Sequence, residues 1–224
     1  MSLTTGRGPL GPRPAGRFSA PIPSDIVYVE PFKRRVRGLK QGQCVIDSER
    51  SLLVHRAGMP PTYAFPAEDV NGIAAEPEHE APGYVNVPWD AVDRWYEEDE
   101  RVSGHPRNPY HRVDCLRTSR RLRVSLGGVE LVDTTETVGV YETALDPRLY
   151  VKAEHARMDL LDASTTTTYC PYKGTASYWN ANIGDSVVRD VAWSYEDPLA
   201  ECAAIRGLLS FDEKVVSVVH DLPS

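Results

Sequence analysis

No run in this 224-residue chain approaches the roughly 18 apolar residues that a membrane-spanning helix requires, so no membrane partner is expected. The first residues lack the apolar stretch of a secretory leader. Cysteine is scarce: Cys44, Cys115, Cys170 and Cys202 are the four, and no two stand as Cys-x-x-Cys. That argues against a zinc knuckle or a dithiol redox motif and fits reduced thiols in a cytoplasm. A glycine-rich phosphate loop is missing. Gly127-Gly128 followed by Asp133-Thr134-Thr135-Glu136 also lacks the Asp-x-Asp or Asp-x-Glu pair that holds metal in nucleotidyl transfer. Nor is positive charge in excess. The formal net charge of −7 disfavours a general nucleic-acid binder.

What is present is uneven. Residues 1–40 hold eight Lys or Arg against Asp25 and Glu30, so the remainder carries −13. Residues 1–24 are rich in Gly, Pro, Ser and Arg with few apolar side chains, the composition of a flexible or draped extension. An internal repeat follows. Laying Arg34–Glu68 over Arg120–Glu154 at an offset of 86 needs no gap and gives nine identities, where chance supplies about two. The apolar pattern agrees as well. In the second segment Arg121–Leu126 alternates, Gly127-Gly128 turns, and Val129–Asp133 returns, which predicts a hairpin. Two further β-rich runs, Thr137–Tyr141 and Arg148–Lys152, are split by Asp146-Pro147.

Beyond the repeat the copies diverge. In the first, Trp89, Val92, Trp95 and Tyr96 stand at i, i+3, i+6 and i+7, which predicts an amphipathic helix entered through Pro88. In the second, Ser186–Trp193 reads as a strand. Pro198–Leu209 reads as a helix with Asp197 as N-cap and Pro198 at the first helical position, and Lys214–Val219 as a closing strand.

The densest chemistry lies at Thr167-Thr168-Tyr169-Cys170-Pro171-Tyr172-Lys173-Gly174-Thr175-Ala176-Ser177-Tyr178-Trp179, with a second aromatic cluster at Trp193-Ser194-Tyr195-Glu196-Asp197-Pro198. These segments resemble the signature of the bacterial domain-of-unknown-function family 427, Thr-x-Cys-Pro-Tyr-Lys-Gly-x-Ala-x-Tyr with a later Trp-x-Tyr-x-x-Pro. The resemblance runs from about Arg120 to the C-terminus. The family is sometimes labelled nucleotidyltransferase-like, a label these residues do not support. The resemblance implies a mainly β fold: two tandem copies of a small antiparallel, β-tent-like unit, each with a short helix. The first, degenerate copy is placed at 25–114 and the second, bearing the signature, at 115–224. Zinc-binding members of the β-tent group use paired Cys-x-x-Cys motifs, so no metal and no other cofactor is expected.

Cys170 is a candidate nucleophile, because a neighbouring ammonium such as Lys173 stabilises a thiolate. Lys173 is a candidate anion clamp or proton-transfer group, and Glu142 a candidate acid or base at a strand end. Tyr150, Tyr172, Trp179, Trp193 and Tyr195 are candidate walls of a ligand pocket. Strand alternation sends Tyr178 and Trp179 to opposite faces, so one of them at most faces a given cavity. His105, His111 and Asp114 have the residue types of a metal site but no metal-site spacing, and nearby arginines oppose a cation. The leading expectation is a protein that holds a small organic ligand in an aromatic pocket around Lys173. The alternative is an enzyme with Cys170 as nucleophile and Lys173 and Glu142 moving protons on an acyl- or imine-type substrate. Homo-oligomerisation is left open.

Overall fold

A computed structural model describes residues 3–23 and 25–221. Met1, Ser2 and Ser24 of the expected extension, and residues 222–224 of the expected second copy, lie outside the described residues. The chain forms two compact units, Met1–Arg112 and Val113–Ser224. The predicted mainly β fold is observed, built from several antiparallel sheets.

The first unit contains β1 (Val27–Pro31), β2 (Val36–Lys40), β3 (Gln43–Ser48), β4 (Leu52–Arg56), β5 (Thr62–Pro66), β6 (Glu76–Pro77), β7 (Tyr84–Asn86), β8 (Arg94–Glu97) and β9 (Glu100–Val102). Its sheets run in the orders β1-β4-β5-β7-β6 and β3-β2-β8-β9. Between them lies a core of Phe32, Val36, Ile46, Leu53, Tyr63, Phe65 and Trp95. The start of the extension is packed rather than solvated. Thr4 is fully buried, its hydroxyl donates to the Met59 carbonyl at 2.7 Å, and its own carbonyl accepts from Gly58 N–H at 2.5 Å.

The second unit contains β10 (Val113–Thr118), β11 (Arg121–Leu126), β12 (Val129–Thr134), β13 (Thr137–Glu142), β14 (Arg148–Val151), β15 (Leu161–Cys170), β16 (Gly174–Ile183), β17 (Ser186–Ser194), β18 (Leu209–Phe211) and β19 (Ser217–Asp221). A seven-stranded sheet has the order β10-β13-β14-β18-β17-β16-β15, and a three-stranded one the order β12-β11-β19. One core cluster includes Leu122, Val124, Leu131, Val151, Val191 and Phe211. A second gathers Val140, Tyr150, Ala176, Tyr195, Cys202 and Ile205.

The pairings within the two units coincide at the spacing of 86. Val27 faces Arg56 as Val113 faces Glu142, and Leu52 faces Ala64 as Val138 faces Tyr150. The β2–β3 hairpin is irregular between Gly38 and Leu39, and the β11–β12 hairpin between Val124 and Ser125. Arg35 grips Asp47 with two hydrogen bonds of 2.7 and 2.5 Å, and Arg121 grips Asp133 with the same two distances. Both hairpins are ordered by one rule: alternating apolar residues bury one face while an Arg–Asp pair crosses the other. The units part after the short 3₁₀ turns at Ala67–Asp69 and Ala153–His155. In the first, residues 70–83 lead to β7; in the second, residues 156–208 lead to β18 and contain β15, β16 and β17.

Two predicted helices are not helices. The Trp89–Tyr96 segment is a 3₁₀ turn at Trp89–Ala91 followed by β8. Trp95 is buried in the first core, where it stacks on Phe65 at 6.0 Å and on Trp89 at 5.2 Å while its indole donates to the Trp89 carbonyl at 2.9 Å. The residue two places on, Glu97, is buried too. It accepts from the Tyr63 hydroxyl at 2.6 Å and pairs with Arg34. An inward carboxylate disguises the strand's period of two. The Pro198–Leu209 segment is a 3₁₀ stretch over Ala200–Ile205 with no side-chain cap and a kink at Cys202. Asp197 instead takes Arg206 at 2.8 Å, and Leu199 N–H is held by the Lys173 carbonyl at 3.1 Å. The closing strand begins at Ser217, because residues 212–216 are still turning.

Candidate functional site

Residues 171–173 form the turn between β15 and β16, and this turn builds the site. Lys173 N–H returns to the Cys170 carbonyl at 3.3 Å, and Gly174 follows at φ = +99°. A Cβ at Gly174 would stand 3.3 Å from the Asp197 carbonyl oxygen, and at this φ any side chain is strained. With its backbone fixed on both sides, Lys173 sends its side chain inward, where it is buried and ion-paired with Glu142 at the end of β13. Burial opposes the ammonium charge. The field of Cys170, the field of Glu142 and the bond to Glu142 outweigh it, and the Lys173 pKa lies above its ordinary value. At neutral pH the group is a cation with no tendency to act as a free amine.

Over this pair opens a cavity of about 430 Å³, a volume suited to a small organic molecule. Period-two alternation puts Val140 and Glu142 of β13 and Arg148 and Tyr150 of β14 along it. Across the sheet, Tyr178 of β16 pairs with Trp193 of β17, and both line the space together with Tyr195. The Trp193 indole N–H donates to the Tyr150 hydroxyl at 2.9 Å, and the two rings meet edge to face with centroids 6.4 Å apart. The Arg148 guanidinium lies 5.9 Å from the Trp193 ring centre and pairs with Glu213 at 2.9 Å. Burial raises the phenol pKa of both Tyr150 and Tyr195, so both stay protonated as donors. Asp146, Asp212 and Lys214 complete the lining.

Of the residues expected at the site, Lys173, Glu142, Tyr150, Trp193 and Tyr195 are brought together around this cavity. Cys170, Tyr172 and Trp179 are not among its lining. Trp179 faces the other side of β16, packs on the second unit's cluster of Leu122, Val191 and Phe211 and donates to the Ser194 hydroxyl at 3.3 Å. Tyr172 offers its carbonyl to the Cys202 thiol at 3.5 Å. Cys170 is half-buried against the second core cluster.

Sequence reasoning missed Arg148, although it stands two residues before Tyr150 on one strand face. It also missed that Cys115 and Cys202 join Cys170 in one cluster, which no sequence spacing announces. Burial, with Cys115 beside it, pushes the Cys202 thiol up to about 12, and burial also raises Cys115. Among the described residues no group of three or more His, Cys, Asp or Glu is arranged to hold a metal ion. No helix among them is long and apolar enough to cross a membrane.

No curated protein matches this chain. Residues 114–221 match the family model described as Domain of unknown function (DUF427), and the second unit is thus a domain of that family.

Proposed function

We propose that the second unit binds a small organic ligand in the cavity over Lys173, with an anionic or carbonyl group of the ligand anchored by the ammonium. The observation that carries this reading is a buried Lys173–Glu142 pair at the base of an aromatic-lined cavity. Tyr178, Trp193 and Tyr195 offer flat contact area with little conformational freedom to lose. Lys173, charged and fixed, offers N–H donors to an acceptor atom where water is scarce. The alternative, Cys170 as nucleophile, is less well supported, because the thiol does not line the cavity.

In this reading the two units descend from one β unit, and the second carries the site on its inserted strands. The test is a titration of the full chain with a panel of small aromatic carboxylates, followed by the Trp193 indole resonance. Saturable shifts that vanish in the paired variant Glu142→Gln/Lys173→Met support the reading. Absence of any saturable shift at Trp193 across the panel contradicts it.

A further inference from the structure

We propose that a second cleft of the same unit, lined by Arg117, Lys152, Thr118, Val138, Tyr150 and Leu208, is a separate binding site for an amphipathic organic anion such as a medium-chain carboxylate. The cleft has a volume of about 620 Å³, larger than the cavity over Lys173, and Ala204, Ser119, Thr135, Thr137 and Glu136 complete it. Its walls divide by chemistry. Val138, Tyr150 and Leu208 form an apolar base, with Tyr150 almost wholly buried and the exposed Ala204 at its edge. Arg117 and Lys152 stand at the rim among the hydroxyls of Thr118, Ser119 and Thr135.

The charges at the rim leave one cation for a ligand. Lys152 is held by Glu154 at 3.0 Å, and Glu136 is turned to His155 at 3.5 Å. Arg117 forms no ion pair with a carboxylate among the described residues; it acts on Lys152 as a like charge, and the Glu136 carboxylate of the same cleft acts on Lys152 with the opposite sign. A guanidinium without a partner, beside hydroxyls and above an apolar base, matches a carboxylate head on a hydrocarbon tail. The head takes two N–H donors from Arg117, and the tail covers Leu208 and the Tyr150 ring. Tyr150 lines both spaces, and its hydroxyl receives the Trp193 N–H. A molecule in the cleft therefore touches the ring that holds Trp193 in place, which gives the site a reporter.

The experiment is a titration of the full ¹⁵N-labelled chain with sodium octanoate, followed at the four tryptophan indole resonances. The expected result is a saturable shift of Trp193, with Trp89 and Trp95 of the first unit unmoved. Arg117→Ala weakens binding about tenfold, the loss of one charge-assisted contact. Ala204→Trp, at an exposed position on the edge of the cleft, covers its apolar residues and abolishes saturation. Octan-1-ol binds about tenfold more weakly than octanoate. Glu142→Gln/Lys173→Met leaves octanoate binding intact, so failure of the cavity reading and failure of this one are distinguishable. The proposal is overturned if no saturable shift occurs, if Arg117→Ala and Ala204→Trp both bind as the unmodified chain does, if octanol binds as well as octanoate, or if the Glu142/Lys173 variant abolishes the effect.

Discussion

The two units put an ion pair with a largely buried carboxylate at the end of corresponding strands, with opposite polarity. In the first, β4 ends on Arg56, whose guanidinium makes two bonds of 2.7 and 2.6 Å to the buried Glu78. In the second, β13 ends on Glu142, 86 residues on, and the partner is Lys173. The surroundings differ more than the pair. Glu78 also accepts from Asn86 Nδ2 at 3.1 Å and from Glu80 N–H at 3.2 Å, so its acceptor capacity is taken up by the protein. Lys173 comes instead from the turn between β15 and β16, and a 430 Å³ cavity lined by Tyr150, Tyr178, Trp193 and Tyr195 opens beside it. One strand scheme thus carries a closed electrostatic clamp in one unit and an open, charged cavity floor in the other. The difference lies in what residues 156–208 add.

The most damaging way to break this comparison is to remove one charge from the second unit. Lys173→Ala takes the ammonium away from Glu142 where both side chains are nearly buried, and we expect a loss of about 3 kcal/mol in chemical denaturation of that unit. Replacing both partners, as in Glu142→Gln/Lys173→Met, should recover most of it. Exchanging them, Glu142→Lys/Lys173→Glu, copies the first unit's polarity. It should fold and should lose affinity for anions in the cavity. In the first unit Glu78→Ala should cost less, about 2 kcal/mol, because the Arg56 side chain is 38% exposed and water takes up part of the stranded charge.

How much of this was legible in the sequence follows from the same residues. The β11–β12 hairpin was readable because Arg121–Leu126 alternates cleanly and closes on Gly127-Gly128. The spacing of 86 was readable because the apolar pattern and the Arg–Asp crossings recur together. β8 was not, since Glu97 occupies an inward position that the strand pattern reserves for an apolar residue. The signature singled out Lys173 as a candidate anion clamp or proton-transfer group, but its burial was not legible there. Only the register of β13 against β14, and of β16 against β17, could say that Glu142, Tyr150 and Trp193 surround it. The thiols of Cys115 and Cys202 meet through pairings of distant strands, which leave no local trace.

Two smaller effects sharpen the contrast. Tyr150→Phe removes the acceptor of the Trp193 N–H. We expect a loss of about 1 kcal/mol and an altered Trp193 indole resonance, with Trp89 and Trp95 unchanged. Acid should act first on the first unit. Burial holds the His55 and His105 pKa values below the ordinary value, so the unfolded chain binds protons before the folded one does. Stability from these groups is full above about pH 6.5 and is lost as the pH falls towards their lower folded values. Burial would raise the Glu78 pKa, but the bonds from Arg56, Glu80 N–H and Asn86 lower it on balance. Its contribution is lost further down, below the ordinary carboxylate range. An acid titration read at Trp89 and Trp95 should therefore report unfolding at a higher pH than one read at Trp179 and Trp193.

Whether the cavity over Lys173 takes a ligand is read at the Trp193 indole resonance in the aromatic-carboxylate titration of the full chain. A ligand site there gives a saturable shift for at least one member of the panel, confined to the second unit and abolished in Glu142→Gln/Lys173→Met. A Trp193 resonance that no member moves, or one that moves equally in that variant, would contradict it.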